Sequence, residues 1–197
     1  MPATAAAWQC VRDRSTGLVW ETKTVGDGLH SLDHTFVWLD PDMARNGGRP
    51  GFLDIPKDFE QAEKLHRSPV QGDPETQGEL CGQVLENCNT RDFAEAVNRK
   101  GLCGFHDWRL PELPELATLT DYRRSRPATD PRFFPLDEGF RFWTATSQAA
   151  RLMPDDASKL GLKAWVLDFT TGTEETEEKY SSMSVRLVRG QMPETPQ

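Results

Sequence analysis

The sequence predicts an α+β domain with a mostly antiparallel sheet whose first and last strands are able to pair, two helices and long loops. Three observations carry this. Apolar, β-branched and aromatic runs collect at both ends of the chain. Two helical patterns lie between them, and the rest is turn-rich, with 14 Pro and 15 Gly in 197 residues. Six Trp and ten Phe supply a core despite an apolar fraction of only 37%.

The first strands are expected within Trp8 to Thr22, where Asp13-Arg14-Ser15-Thr16-Gly17 is turn chemistry and Leu18-Val19-Trp20 restarts an extended run. Thr35 to Leu39 reads as a further strand. The span Asp40 to Glu86 has little apolar periodicity, apart from a short helix candidate at Lys57 to Arg67. Connections of this length are usually functional or poorly ordered. Thr90 to Lys100 reads as a helix. Asn89 or Thr90 caps it, Phe93, Ala96 and Val97 share one face, and Gly101 ends it. A second helix is expected over Glu112 to Tyr122, with Pro114 in its first turn. Terminal strands follow at Arg141 to Thr146, Ala164 to Phe169 and Ser184 to Val188. Together 1–190 form one domain, and 191–197 read as a disordered tail.

The net charge of −8 gives no general attraction for nucleic acid or anionic membranes, although Arg123, Arg124 and Arg126 form a local basic patch. No apolar run approaches the length of a membrane span. Either the chain is cytoplasmic, or a signal segment was removed ahead of it. The cysteines favour the second course and a periplasmic, extracellular or cell-surface location. Cys10, Cys81, Cys88 and Cys103 allow three pairings. Cys81 with Cys88 and Cys10 with Cys103 is favoured, and Cys88 with Cys103, which flank a helix, is close behind. A zinc site from Cys81, Cys88, Cys103 and His106, or free buried thiols, are the alternatives.

Seven blocks, in order, carry a resemblance to a known family. They are DRSTGLVWE from Asp13, CNTRDFAEAVN from Cys88, LCGFHDWRLPELPELATL from Leu102, Phe133-Phe134-Pro135, Phe142 to Thr146, Ala164 to Phe169, and VRLVRG from Val185. The chain resembles the Lcl C-terminal-domain family, named for a bacterial collagen-like adhesin. The resemblance implies a C-type-lectin-like fold, with paired N- and C-terminal strands and two flanking helices, in an exported bacterial protein with a glycan- or surface-binding role. One position departs from the family pattern. Glu112 stands where a Ser or Thr usually caps the second helix.

Candidate residues divide between scaffold and recognition. Trp108 and Leu110 are expected in the core, with Arg109 paired to Glu115 or Asp107. Trp20, Trp143 and Trp165 also read as core, and Trp38, beside the long loop, as the exposed aromatic of a binding surface. Asp40, Asp42 and Asn46 offer oxygens for a possible calcium ion, but without EF-hand spacing and without the motifs of calcium-dependent sugar-binding lectins. Otherwise no cofactor is expected. Glu174 to Glu178 reads as a solvated hairpin tip. His30, His34, His66 and His106 are scattered, and no nucleophile elbow or phosphate loop occurs. The sequence therefore favours a non-catalytic module binding a glycan, protein or surface through long loops. The alternatives are an accessory subunit docking a fixed partner through residues 40–86, and a metal-dependent or formylglycine-generating-like oxidase.

Overall fold

The computed structural model describes residues 9–60, 68–135, 137, 139–148 and 161–193. Most of the Lys57 to Arg67 helix candidate and the end of the expected tail lie outside them. Two three-stranded antiparallel sheets form the frame. In the first, β1 (Cys10–Arg12) pairs with β2 (Val19–Glu21), and β2 pairs with β6 (Val188–Arg189), so the two ends of the chain meet. In the second, β3 (Arg141–Ser147), β4 (Lys163–Asp168) and β5 (Thr173–Glu178) follow in order. Between the sheets in sequence lie α1 (Thr90–Lys100) and α2 (Leu113–Ala117). The α+β class is as the sequence predicts.

The helix α1 starts where Asn89 accepts the Asp92 N–H at 2.8 Å and stops at Gly101, whose φ of 76° suits glycine. Phe93 and Val97 are fully buried in the larger core, with Phe36, Trp38, Trp108 and Trp143. A second cluster holds Leu18, Trp20, Leu116, Phe142 and Phe169.

Several elements depart from expectation for identifiable reasons. Helix α2 ends at Ala117, five residues before Tyr122. The Thr118 hydroxyl bonds Glu115 O at 2.7 Å, and the Asp121 N–H turns away to Ala128 O at 2.8 Å. Thr35 to Leu39 is no ladder strand, because its bridges run to three different segments: Phe36 to Met183, Val37 to Asn89 and Leu39 to Gly51. Ser184 to Val188 is regular only from Val188, since the Leu187 N–H donates to the buried Glu21 carboxylate at 2.9 Å. The acidic run is an edge strand, not a free tip, with Glu177 2.7 Å and Glu178 3.3 Å from Arg141 and Lys163.

The long 40–86 span is more structured than its composition suggests. Phe52, Asn46, Arg49 and Asp54 are buried. The Asp54 carboxylate accepts the N–H groups of Gly78 and Cys88 at 2.9 and 3.2 Å. A Cβ on Gly51, at φ 96°, would collide with the Trp38 carbonyl, so only glycine lets the returning chain approach so closely. Disulfides join Cys10 to Cys103 and Cys81 to Cys88. These are the favoured pairings. They consume the thiols that the Cys88–Cys103 alternative, a zinc site or free thiols would need.

Candidate ligand-binding cleft

The Trp108–Pro111 string is held from three sides. Asn98 on α1 pairs with both polar groups of the Trp108 backbone at 2.7 Å. Arg109 exchanges backbone hydrogen bonds with Val188 at 2.9 Å, extending the first sheet. Its guanidinium meets Glu115 through two 2.7 Å bonds and donates to Gly190 O at 2.8 Å. The Glu115 hydrogen bonds raise the arginine's pKa. Asp107, the other expected partner, pairs instead with Arg189 at 2.7 Å. Trp108 is core, whereas Leu110 is half-buried.

Replacing Glu115 by glutamine is expected to destabilise the fold by about 1.5 kcal/mol, the low end for a charged hydrogen bond because Arg109 is partly exposed. Urea denaturation measures this.

The unusual Glu112 is accommodated from a distance. Thr146, within a register shift of β3, accepts the Leu113 N–H at 2.9 Å and donates to Glu112 at 2.7 Å. The hydroxyl missing from the helix start thus arrives from the sheet.

These supports shape a cleft of about 550 Å³. One wall is the polar face of α1, with Arg91, Glu95 and Asn98; another is the 39–45 loop; the third runs from Trp108 to Glu112. Arg91 pairs with Glu95 at 2.7 Å, and Arg45 with Asp42 and Asp40 at 3.1 and 3.2 Å. The rim charges are therefore held in internal pairs, and those of Arg91 with Glu95 and Arg45 with Asp42 are exposed. Among the described residues the cleft lining contains no His, Ser or Cys, and the one hydroxyl there, that of Thr90, is bonded both ways to the Leu39 backbone.

Trp38 corrects the sequence reading. It is fully buried beneath the cleft, donating to Thr144 O at 2.9 Å. It therefore offers no exposed stacking face. Trp20 and Trp143 are buried as expected, but Trp165 is only half-buried, because alternation along β4 turns Ala164 and Val166 inward instead. Asp40, Asp42 and Asn46 do come together, as a self-bonded turn. Asp42 N–H donates to Asp40 at 2.9 Å, Gly48 N–H to Asn46 at 2.9 Å, and Asn46 Nδ2 to Asp40 O at 2.9 Å. A cation there would have to displace these donors. Among the described residues no group of three or more His, Cys, Asp or Glu is arranged to hold a metal. Arg123 and Arg124 are paired to Asp121 at 2.9 and 3.2 Å, which reduces the expected basic patch.

Sequence reasoning missed Lys179. Its buried Nζ lies 4.0 Å from the Trp38 ring centre and donates to Asn46 O and Arg49 O at 2.7 and 2.8 Å, tying the loop down. Burial pushes its pKa down to about 7. We expect lysine-resolved NMR to find one amine titrating there and not near 10.5. Because the unfolded chain holds this proton more tightly, the group's contribution to stability should rise between about pH 7 and 10.5. Arg91 and Glu95 were also missed, although their four-residue spacing opposite the apolar face of α1 was a usable signal.

A family model for the Lcl C-terminal domain matches residues 9–189. The chain belongs to the Lcl C-terminal domain family. The match takes in both sheets, both helices and all cleft residues except Gln191. Comparison with curated proteins and with solved structures finds no match. The two disulfides are compatible with an extracellular or periplasmic domain, and among the described residues no helix is long and apolar enough to cross a membrane.

Proposed function

We propose that this Lcl C-terminal domain is a non-catalytic binding module of an exported bacterial protein, C-type-lectin-like in fold, that takes a polar glycan or polypeptide chain into the cleft. The observation that carries this is the cleft's lining. Exposed, exchangeable ion pairs surround a floor fixed by Trp38, Asn98 and the Arg109–Glu115 pair, with no nucleophile–base couple among the described lining residues. Such a rim can trade its internal pairs for contacts with a charged or hydroxyl-rich ligand at little cost, since exposed pairs are worth under about 1 kcal/mol. A resident cofactor plays no part in this reading. Calcium would bind only by opening the Asp40–Asn46 turn.

Binding to a panel of immobilised glycans, peptides and bacterial or host surfaces tests it. Replacing Arg91 and Glu95 together by alanine should weaken the hit about tenfold, a loss of about 1.4 kcal/mol. Loss of this exposed i,i+4 pair should cost the fold only about 0.3–0.5 kcal/mol. Undiminished binding by that variant, or chemical conversion of the ligand, would sink the proposal.

The accessory-subunit reading is favoured by two exposed apolar side chains on the 40–86 insertion, Met43 at 51% and Phe59 at 48% exposure. Under that reading a partner co-purifies at fixed stoichiometry and is lost when both are replaced by aspartate.

A further inference from the structure

A second concavity, of about 840 Å³, shares no lining residue with the cleft among the described residues. It lies between the β1–β2 hairpin and the chain beyond α2, with Val11, Trp20, Leu119, Phe133 and Phe134 as apolar walls. Trp20 is fully buried, yet its indole Nε1 has no hydrogen-bond partner among the described residues. The three other fully or nearly buried tryptophans all donate: Trp38 to Thr144 O, Trp108 to Leu102 O and Trp143 to Phe36 O. Buried donors are normally paired, so this one asks for an acceptor.

The charges around the groove are unbalanced. Asp13 is committed to the Ser15 N–H at 2.8 Å and the Thr16 hydroxyl at 2.6 Å, and Asp130 to Arg132 at 3.0 Å. Arg12 and Arg14 are exposed and carry no ion pair among the described residues. A chain of net charge −8 thus presents two uncommitted cations beside an apolar trough in which Phe133 is 41% exposed. Strand β1 is also the outermost strand of its sheet among the described residues. That leaves an edge along which another extended chain can lie.

We propose that this groove docks an extended acidic peptide segment of a partner protein. Its apolar side chain packs against Leu119 and Phe133, its carboxylates meet Arg12 and Arg14, and, as the side chains covering Trp20 move aside, one of its carbonyls accepts the buried indole N–H. The site is independent of the cleft and of the reading given to it.

The test uses the full chain with ¹⁵N-labelled indoles and the peptide acetyl-Glu-Phe-Glu-Val-Glu-amide. The Trp20 indole resonance, assigned with a Trp20→Phe variant, should move saturably. Affinity should fall at least about tenfold in the Arg12→Glu/Arg14→Glu variant, which should instead take acetyl-Lys-Phe-Lys-Val-Lys-amide. The Arg91→Ala/Glu95→Ala variant should titrate as the wild type does, so failure here and failure of the cleft reading are separable. An unmoved Trp20 resonance, retained affinity in the charge-reversed variant, or equal affinity for 3-phenylpropionate overturns the proposal.

Discussion

Replacing Asp137 by alanine should destabilise the protein by about 3–5 kcal/mol, the range for stranding one partner of a buried ion pair. Arg186 and Asp137 are 1% and 0% exposed. Their two hydrogen bonds measure 2.7 and 2.6 Å. The guanidinium also lies 4.5 and 4.8 Å from the ring centres of Phe134 and Phe142, and donates to Glu21 O at 3.1 Å. With the carboxylate gone, the guanidinium is left buried against rings and a backbone carbonyl with no counter-charge beside it among the described residues. An Asp137→Leu/Arg186→Met double variant removes both charges and should cost less than either single change. Chemical denaturation of the three variants checks this. A single-variant loss below about 1 kcal/mol would mean that water reaches the arginine.

The second large effect concerns the disulfides, which should differ sharply in worth. Cys10–Cys103 spans 93 positions and Cys81–Cys88 spans 7. Chain-entropy arguments give about 4.7 kcal/mol for the long closure and about 2.5 for the short one. The long bridge also fastens the first strand to the turn ahead of Trp108, so its loss should loosen the β1 end of the first sheet. Paired alanine substitutions at each bridge, compared by denaturation under oxidising conditions, measure the difference. Equal losses would indicate that the unfolded chain retains structure around Cys10.

What the sequence made legible was mostly local. Arg109 and Glu115 are six residues apart on either side of a helix start. The ends of α1 are marked by Asn89 and Gly101, and Cys81 and Cys88 are neighbours in the chain. In each case the partner lay within a window that spacing rules reach. Trp38 was misjudged because what buries it is remote. Thr144 O and Lys179 lie more than a hundred positions away, and a polar loop alongside suggested solvent. Lys179 follows an acidic run and carries no local sign of burial; only the fold places two loop carbonyls over it. The short α2 and the broken strand at Ser184 reflect single competing acceptors, Ala128 O and the Glu21 carboxylate, for which no propensity scale has a term. The family blocks located the scaffold well, but much of the cleft rim comes from the 39–45 loop, which those blocks leave out.

The most direct measurement of the central claim is a ¹⁵N–¹H titration of the uniformly labelled protein with the strongest hit from the binding panel. Binding in the cleft predicts saturable shifts concentrated at residues 39–45, 90–98 and 108–112, with the ligand recovered unchanged. Shifts confined to residues outside those three segments, or a ligand returned as product, would contradict it.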